Sequence, residues 1–244
     1  MKTIVLIPSR MASSRFPGKP MAKIDGKPMI QRVWQQAINS KVGEVIVACS
    51  ENEVLNLITS LGGKAILTDP KLQSGTDRIY SALMKINSTI EYDYIINLQG
   101  DMPLILPEQI KKVLEPLKND YSIGTLATNL NQEEEMNSNV TKVVIEWENK
   151  TLGKAKSFFR KIKHQQKNIF HHVGIYSYTK NSLTKFVELP RSKNEIELNL
   201  EQYRAMDAGI TIGIAFEPNI PISIDTKEDL ITAESIIRAG YEKN

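Results

Sequence analysis

Through the first half of the chain, short apolar runs alternate with stretches whose apolar residues recur at helical spacing. In order these are KTIVLI, PMIQRVWQQAINS, EVIVAC, ENEVLNLITSLGG, KAILT, DRIYSALMKI, YDYIINL and PEQIKKVLEPL. Runs of about six residues suit strands, and periodic stretches of about ten to fifteen suit helices. That rhythm predicts βαβ units around a mainly parallel sheet, a fold that binds ligands at the carboxyl ends of its strands. Ser50 followed by Glu53 predicts a capping box, and Gly62–Gly63 predict the end of the same helix.

From about Ser122 the pattern changes to IGTLAT, TKVVIEW and VGIYSYT, with the polar stretch NLNQEEEMNSN between the first two. We read these as a mixed or antiparallel extension of the same domain, because no Pro/Gly/Ser-rich linker sets them apart. TIGIAF reads as a further strand, and TKEDLITAESIIRAG as a final amphipathic helix. The sequence shows no internal repeat, heptad series or low-complexity segment.

Composition narrows the function classes. A chain of 244 residues, 41% hydrophobic and 24% charged, is an ordinary globular composition. A net charge of +3 is too balanced to imply nucleic acid or a membrane surface as partner, so any anion site must be local. The single cysteine, Cys49, excludes an intrachain disulfide and, at the end of EVIVAC, reads as a buried small hydrophobe. No apolar run reaches the length of a signal-peptide core or a membrane span, so a cytoplasmic protein is expected. With one cysteine and no HExxH or CxxC spacing, the sequence argues against zinc.

Candidate chemistry falls where loops leave strands. SRMASSRFPGKP, after the first strand, carries Arg10, Arg15 and Lys19, with Pro17 and Gly18 between the last two. It has neither a Walker pattern nor GxGxxG; it reads either as a cradle for a triphosphate or as a solvated basic loop. Asp101 in INLQGDMP follows Gly100, which permits close backbone approach, and could hold Mg²⁺ or merely close a turn. Asp225 in ISIDTKEDL could complete that metal site, or it could cap a helix with Glu228, as Thr226 could with Asp229. QSGTDR, Gln73 to Arg78, could meet a nucleobase edge or phosphate at a helix start, or simply cap the helix through Ser74 or Thr76. In the second half Arg160, His171, His172, Glu201, Gln202 and Arg204 could serve an acidic sugar or lie at the surface and core edge.

Six motifs in order, IPSRMASSRFPGKPM, QSGTDR, LQGDMP, HHVGIYSY, LEQYRA and IDTKEDL, resemble those of the 3-deoxy-manno-octulosonate (Kdo) cytidylyltransferases, or CMP-Kdo synthetases. The similarity runs over nearly the whole chain. It implies an α/β, Rossmann-like nucleotide-diphospho-sugar transferase fold: a mainly parallel central sheet, helices on both faces and a mixed-strand dimerisation extension. It implies a single cytidylyltransferase domain over 1–244, with roughly 122–205 forming the sugar-binding and dimerisation region of a homodimer. The implied substrates are CTP and an acidic eight-carbon sugar, and the products are CMP-Kdo, for lipopolysaccharide synthesis, and pyrophosphate.

Carried over motif by motif, the resemblance assigns Arg10 and Lys19 to the CTP phosphates, with Arg15 a looser supporting cation. Pro8, Ser9, Gln73, Ser74, Gly75 and Arg78 would hold the rest of CTP. Asp101 and Asp225 would hold Mg²⁺, the expected cofactor. Gln99, Arg160, His171, Tyr176, Glu201 and Gln202 would face the sugar. Met102 stands where the family has an acid, Phe159 where it has a serine, and Ile224 where it has a valine. An amino-substituted Kdo or a sialic-acid-like sugar is the alternative within enzymes, and a non-catalytic nucleotide-binding protein the alternative outside them.

Overall fold

The computed structural model describes the chain apart from residues 13–14, 87–90, 163–166, 220–221 and 241–244. Its strands are β1 (Thr3–Ser9), β2 (Lys23–Ile24), β3 (Lys27–Pro28), β4 (Glu44–Cys49), β5 (Lys64–Leu67), β6 (Tyr94–Asn97), β7 (Ile123–Asn129), β8 (Lys142–Trp147), β9 (Leu152–Phe159), β10 (Ile169–Thr179) and β11 (Ile212–Phe216). The α-helices are α1 (Met29–Ser40), α2 (Asn52–Ser60), α3 (Gly75–Lys85), α4 (Pro107–Lys112), α5 (Gln132–Met136), α6 (Lys180–Glu188), α7 (Lys193–Leu198), α8 (Tyr203–Asp207) and α9 (Lys227–Arg238). Contacts divide the chain into two compact units. One comprises residues 2–91, 97–110 and 221–244; the other comprises residue 1, 92–96 and 111–220.

The first unit carries the parallel order β5-β4-β1. Ile4 to Ser9 register against Glu44 to Cys49, and Ile46 to Cys49 against Lys64 to Leu67. Every residue of β1 is buried, which is why its sequence is a continuous apolar run with no alternation. Cys49 is buried, as its setting in EVIVAC predicts. A core cluster of Phe16, Ile24, Met29, Leu104, Ile224, Ala233 and Ile237 ties the segment before α1 to α9.

Two local expectations need correction. Ser50 and Glu53 form no capping box: the residue at the N-cap of α2 is Glu51, and no side chain caps it. Ser50 Oγ instead donates to Glu51 Oε1 at 2.9 Å. The expected end of that helix does form, with Gly62 at φ 79° and the Gly63 N–H bonded to the Ile58 carbonyl. PEQIKKVLEPL is not one helix. It divides into α4 and a 3₁₀ turn over Pro116–Asn119, because Pro116 has no N–H to continue an α-helical ladder.

In the second unit, β10 pairs antiparallel with β7, and β7 runs parallel to β11. β11 pairs antiparallel with β9, β9 with β8, and β8 returns to β10. The five strands thus close on one another, leaving no unpaired edge among them along the shared registers. This is the mixed, largely antiparallel arrangement that the second half of the sequence predicts. The polar stretch NLNQEEEMNSN contains the short helix α5, whose capping box pairs Asn131 with Glu134. No helix among the described residues is long and apolar enough to cross a membrane.

Candidate active site

The basic loop after β1 is anchored at both ends. Near its start, the Met11 N–H donates to Glu51 Oε2 at 3.1 Å, and the Ser50 N–H bonds to the Ser9 carbonyl at 3.3 Å. Near its end, buried Phe16 joins the core cluster. Gly18 adopts φ 73°, the left-handed region that favours glycine, and its N–H bonds to the Met11 carbonyl at 3.0 Å. That turn leads into the 3₁₀ segment Lys19–Met21, with Pro20 at its start, and sends the Lys19 side chain back into the unit.

There, Lys19 Nζ lies 2.8 Å from Asp101 Oδ2, 2.9 Å from the Ile224 carbonyl oxygen and 3.4 Å from Asp225 Oδ1. Arg15 Nη2 also reaches Asp225 Oδ1, at 3.0 Å. The Lys19 side chain is 16% exposed, whereas the Arg15 side chain is 52% exposed, so the two cations differ in how firmly the fold holds them. Arg10 is exposed and forms no hydrogen bond or ion pair with any described residue.

Both aspartates are released from the structural roles that their sequences leave open. Asp101 gives its carbonyl to the Ile224 N–H at 2.9 Å and turns its carboxylate to Lys19. Gly100 before it allows this, because a Cβ there would meet the Pro8 carbonyl oxygen at 2.8 Å. The α9 capping box is made by Thr226 and Asp229, so Asp225 is one residue outside the helix cap. Its carboxylate is left to the two cations.

Ser74 caps α3 by accepting the Asp77 N–H at 3.0 Å, and Thr76 accepts from Asn97 Nδ2 at 3.2 Å. Arg78 is 2% exposed. Its Nη1 donates to Thr68 Oγ1 at 2.6 Å and to the Asp69 carbonyl at 3.2 Å. Arg78 Nη2 and Ser9 Oγ are buried without a hydrogen-bond partner among the described residues. A guanidinium nitrogen left so is costly unless a ligand accepts from it. Burial lowers the Arg78 pKa, Glu51 opposes that shift, and Arg10 adds to it.

These residues line one cavity of about 260 Å³: Pro8, Ser9, Arg10, Arg15, Lys19, Gln73, Ser74, Gly75, Arg78, Gln99, Asp101 and Asp225 are all on its wall. The structure thereby brings together every residue that the sequence assigns to CTP and to the metal. Gln99, assigned to the sugar, lines this cavity too and donates to Asn97 Oδ1 at 3.0 Å. Met102 is 2% exposed and sits in the core, off the cavity wall, so its lack of charge leaves the lining unchanged.

The oxygens around Lys19 Nζ, two carboxylates and a main-chain carbonyl, already hold one positive charge. An all-oxygen set of this kind fits Mg²⁺, which takes one or two carboxylates and completes its shell with water and phosphate oxygens. Among the described residues no group of three or more His, Cys, Asp or Glu forms a cage that would do without those extra ligands.

The other predicted residues lie in the second unit. Arg160, following β9, donates from Nη1 to the Asn139 carbonyl at 3.2 Å, and His171 Nδ1 is 2.9 Å from Glu134 Oε1. Tyr176 is half-buried, with its ring 5.4 Å from that of His172. Burial raises the Tyr176 pKa well above its ordinary value, with Tyr178 and Glu201 adding to the shift. Gln202 is buried, directly before α8. His172 lies among these residues: its ring meets that of Tyr176, and the charges of His171 and Arg160 act on it, while Glu201 acts on Tyr176.

Sequence reasoning missed three residues that hold these groups. Glu51 latches the basic loop. Glu134 receives His171. Lys142 is fully buried, and its ammonium donates to the carbonyls of Asn137, Val140 and Arg160 at 2.6, 3.0 and 2.9 Å. A lysine set at the head of the apolar run VVI was the available signal for the last.

A family model described as cytidylyltransferase matches residues 4–212. The chain is 39% identical over 240 residues to the 3-deoxy-manno-octulosonate cytidylyltransferase of Paramagnetospirillum magneticum, covering 97% of this chain and 98% of that one. It is 41% identical over 243 residues to the enzyme of the same name from Bradyrhizobium sp. (strain ORS 278), covering 97% of each. Among solved structures it is similar to a CMP:2-keto-3-deoxy-manno-octonic acid synthetase complexed with CTP, with TM-score 0.88 and 34% identity, covering 98% of this chain and 99% of that one. A cytidylyltransferase from Leptospira borgpetersenii shares the fold, with TM-score 0.63 at 20% identity, covering 98% of this chain and 87% of that one. Relatives aligned almost end to end at this identity, with a family model reaching from β1 to β11, establish common descent: the chain belongs to the 3-deoxy-manno-octulosonate cytidylyltransferase family.

Proposed function

We propose that the protein transfers a cytidylyl group from CTP to Kdo, giving CMP-Kdo and pyrophosphate. The observation that carries this reading is the meeting of Lys19 with Asp101 and Asp225 on a cavity wall that also bears Arg10 and the unpartnered nitrogen of Arg78. The anomeric hydroxyl oxygen of the sugar attacks the α-phosphorus, the bond to the β-phosphate breaks, and the hydroxyl proton is lost. Arg10 and Lys19 offset the charge that gathers on the departing pyrophosphate, and Arg15 supports them from the rim. Arg78 and the start of α3 hold the cytidine, Arg78 through the Nη2 donor that has no acceptor among the described residues.

Mg²⁺, held by Asp101 and Asp225, would supply charge neutralisation and orientation at the α-phosphate. Arg160 and His171 would offer positive charge or hydrogen bonds to the sugar's carboxylate, and Tyr176, Glu201, Gln202 and Gln99 would meet its hydroxyls. Positioning dominates, because no covalent enzyme intermediate is needed.

The test is pyrophosphate release with CTP, Mg²⁺ and, in turn, Kdo, 8-amino-Kdo and sialic acid. Release is expected with Kdo above the other two, and Asp101→Asn should abolish it while leaving the unfolding midpoint near that of the parent. Release with none of the three would end the enzymatic reading, and a preference for another sugar would replace Kdo.

A further inference from the structure

Lys19 has two calls on it. The ammonium has three hydrogens to donate, and three oxygens accept them: Asp101 Oδ2, Ile224 O and Asp225 Oδ1. Two of those oxygens belong to the carboxylates assigned to the divalent ion. Mg²⁺ binds oxygen at about 2.0–2.1 Å. An ammonium in hydrogen-bond contact with the same carboxylates would stand beside the ion as a like charge, on a side chain only 16% exposed where water screens poorly.

We infer that Lys19 is a built-in competitor for the metal site. Its ammonium keeps Asp101 and Asp225 neutralised and weak toward divalent ions until a triphosphate offers it better oxygens. Phosphate oxygens bind an ammonium by charge-assisted hydrogen bonds, so CTP entering the cavity draws Nζ off the carboxylates and toward the phosphates. The same residue then leaves a dianionic pair open to the ion and neutralises the nucleotide. Metal and nucleotide binding are thereby coupled, and the coupling is reciprocal: each raises the affinity for the other by the same factor. Arg15, also on Asp225 Oδ1, adds to the effect from a more exposed position. The inference deepens the proposed function and rests on its assignment of Asp101 and Asp225 to the metal.

The experiment titrates the full-length protein with Mn²⁺ in phosphate-free buffer without nucleotide, reading free Mn²⁺ by its paramagnetic resonance signal. Lys19→Met should bind Mn²⁺ at least about tenfold more tightly than the parent. Lys19→Gln provides a second neutral variant should the first fold poorly, and Lys19→Arg, which keeps the charge, should stay near the parent value. Placing Asp101→Asn in the Lys19→Met background should remove the gain. Unchanged or weaker Mn²⁺ binding by both neutral variants would overturn the inference alone, provided Asp101→Asn still weakens binding. Should Asp101→Asn leave Mn²⁺ affinity unaltered in every background, the metal assignment falls and takes the inference with it.

Discussion

His171 and His172 are adjacent and identical in sequence, and the fold gives them opposite fates. Successive residues of a strand face opposite ways, so β10 turns His171 to Glu134 and packs His172 edge-on against Phe158 at 5.0 Å. Burial, with added repulsion from His171 and Arg160, lowers the His172 pKa to about 3. The ring is therefore neutral in the folded protein, its Nε2 3.0 Å from Thr125 Oγ1. The unfolded chain takes up a proton on this residue below its ordinary pKa of 6.5, and the folded chain does so only near 3. Between those values the unfolded state binds more protons, so stability is lost as pH falls through that window, by up to about 1.4 kcal/mol per pH unit from this group. Thermal unfolding midpoints measured across that range should drop toward acid and drop less steeply in His172→Gln. An equal slope in parent and variant would show that other groups carry the acid sensitivity.

At the scale of elements, the helix start after Asp225 separates two readings that the sequence leaves in balance. The box closes through Thr226 and Asp229, with Thr226 Oγ1 accepting the Asp229 N–H at 3.2 Å and Asp229 Oδ2 accepting the Thr226 N–H at 2.8 Å. The cap at this helix end therefore belongs to Thr226, which leaves the Asp225 carboxylate to Arg15 and Lys19. Thr226→Ala should cost about 1 kcal/mol and lower the unfolding midpoint by about 2–4 °C while pyrophosphate release persists. Asp225→Asn should do the reverse, losing release and keeping the midpoint; a lower midpoint with release intact would return Asp225 to the cap.

The strands and longer helices were legible because apolar periodicity is local: KTIVLI, EVIVAC and TKEDLITAESIIRAG each became the predicted element. The Ser50–Glu53 box was not, because the contacts at that helix start are long-range. Glu51 is drawn to Met11, forty positions earlier in the chain, and takes Ser50 Oγ with it. Glu51 escaped sequence reading for that cause, and Lys142 did so in part: of its three acceptors, Asn137 and Val140 are near in the chain and Arg160 is eighteen positions on.

For the molecule as a whole, a net charge of +3 says little, since the cations that matter are gathered locally. Arg10, Arg15, Lys19 and Arg78 all belong to the unit of residues 2–91, 97–110 and 221–244, together with Asp101 and Asp225. Arg160, His171, Tyr176, Glu201 and Gln202 all belong to the unit of residue 1, 92–96 and 111–220. This division makes the two substrate assignments separately testable. A ligand that binds the native state suppresses the local openings through which amides exchange, most strongly in the segments it touches. In hydrogen exchange with CTP and Mg²⁺ and no sugar, protection should rise over residues 8–12, 73–78 and 99–101 and at the start of α9. In exchange with Kdo added to the CDP-bound protein, which cannot turn over, the further protection should fall over residues 158–160, 171–176 and 201–204. Protection by the sugar confined to the first unit would leave Gln99 as the surviving member of the sugar set and move the carboxylate of Kdo to the cations around the nucleotide cavity.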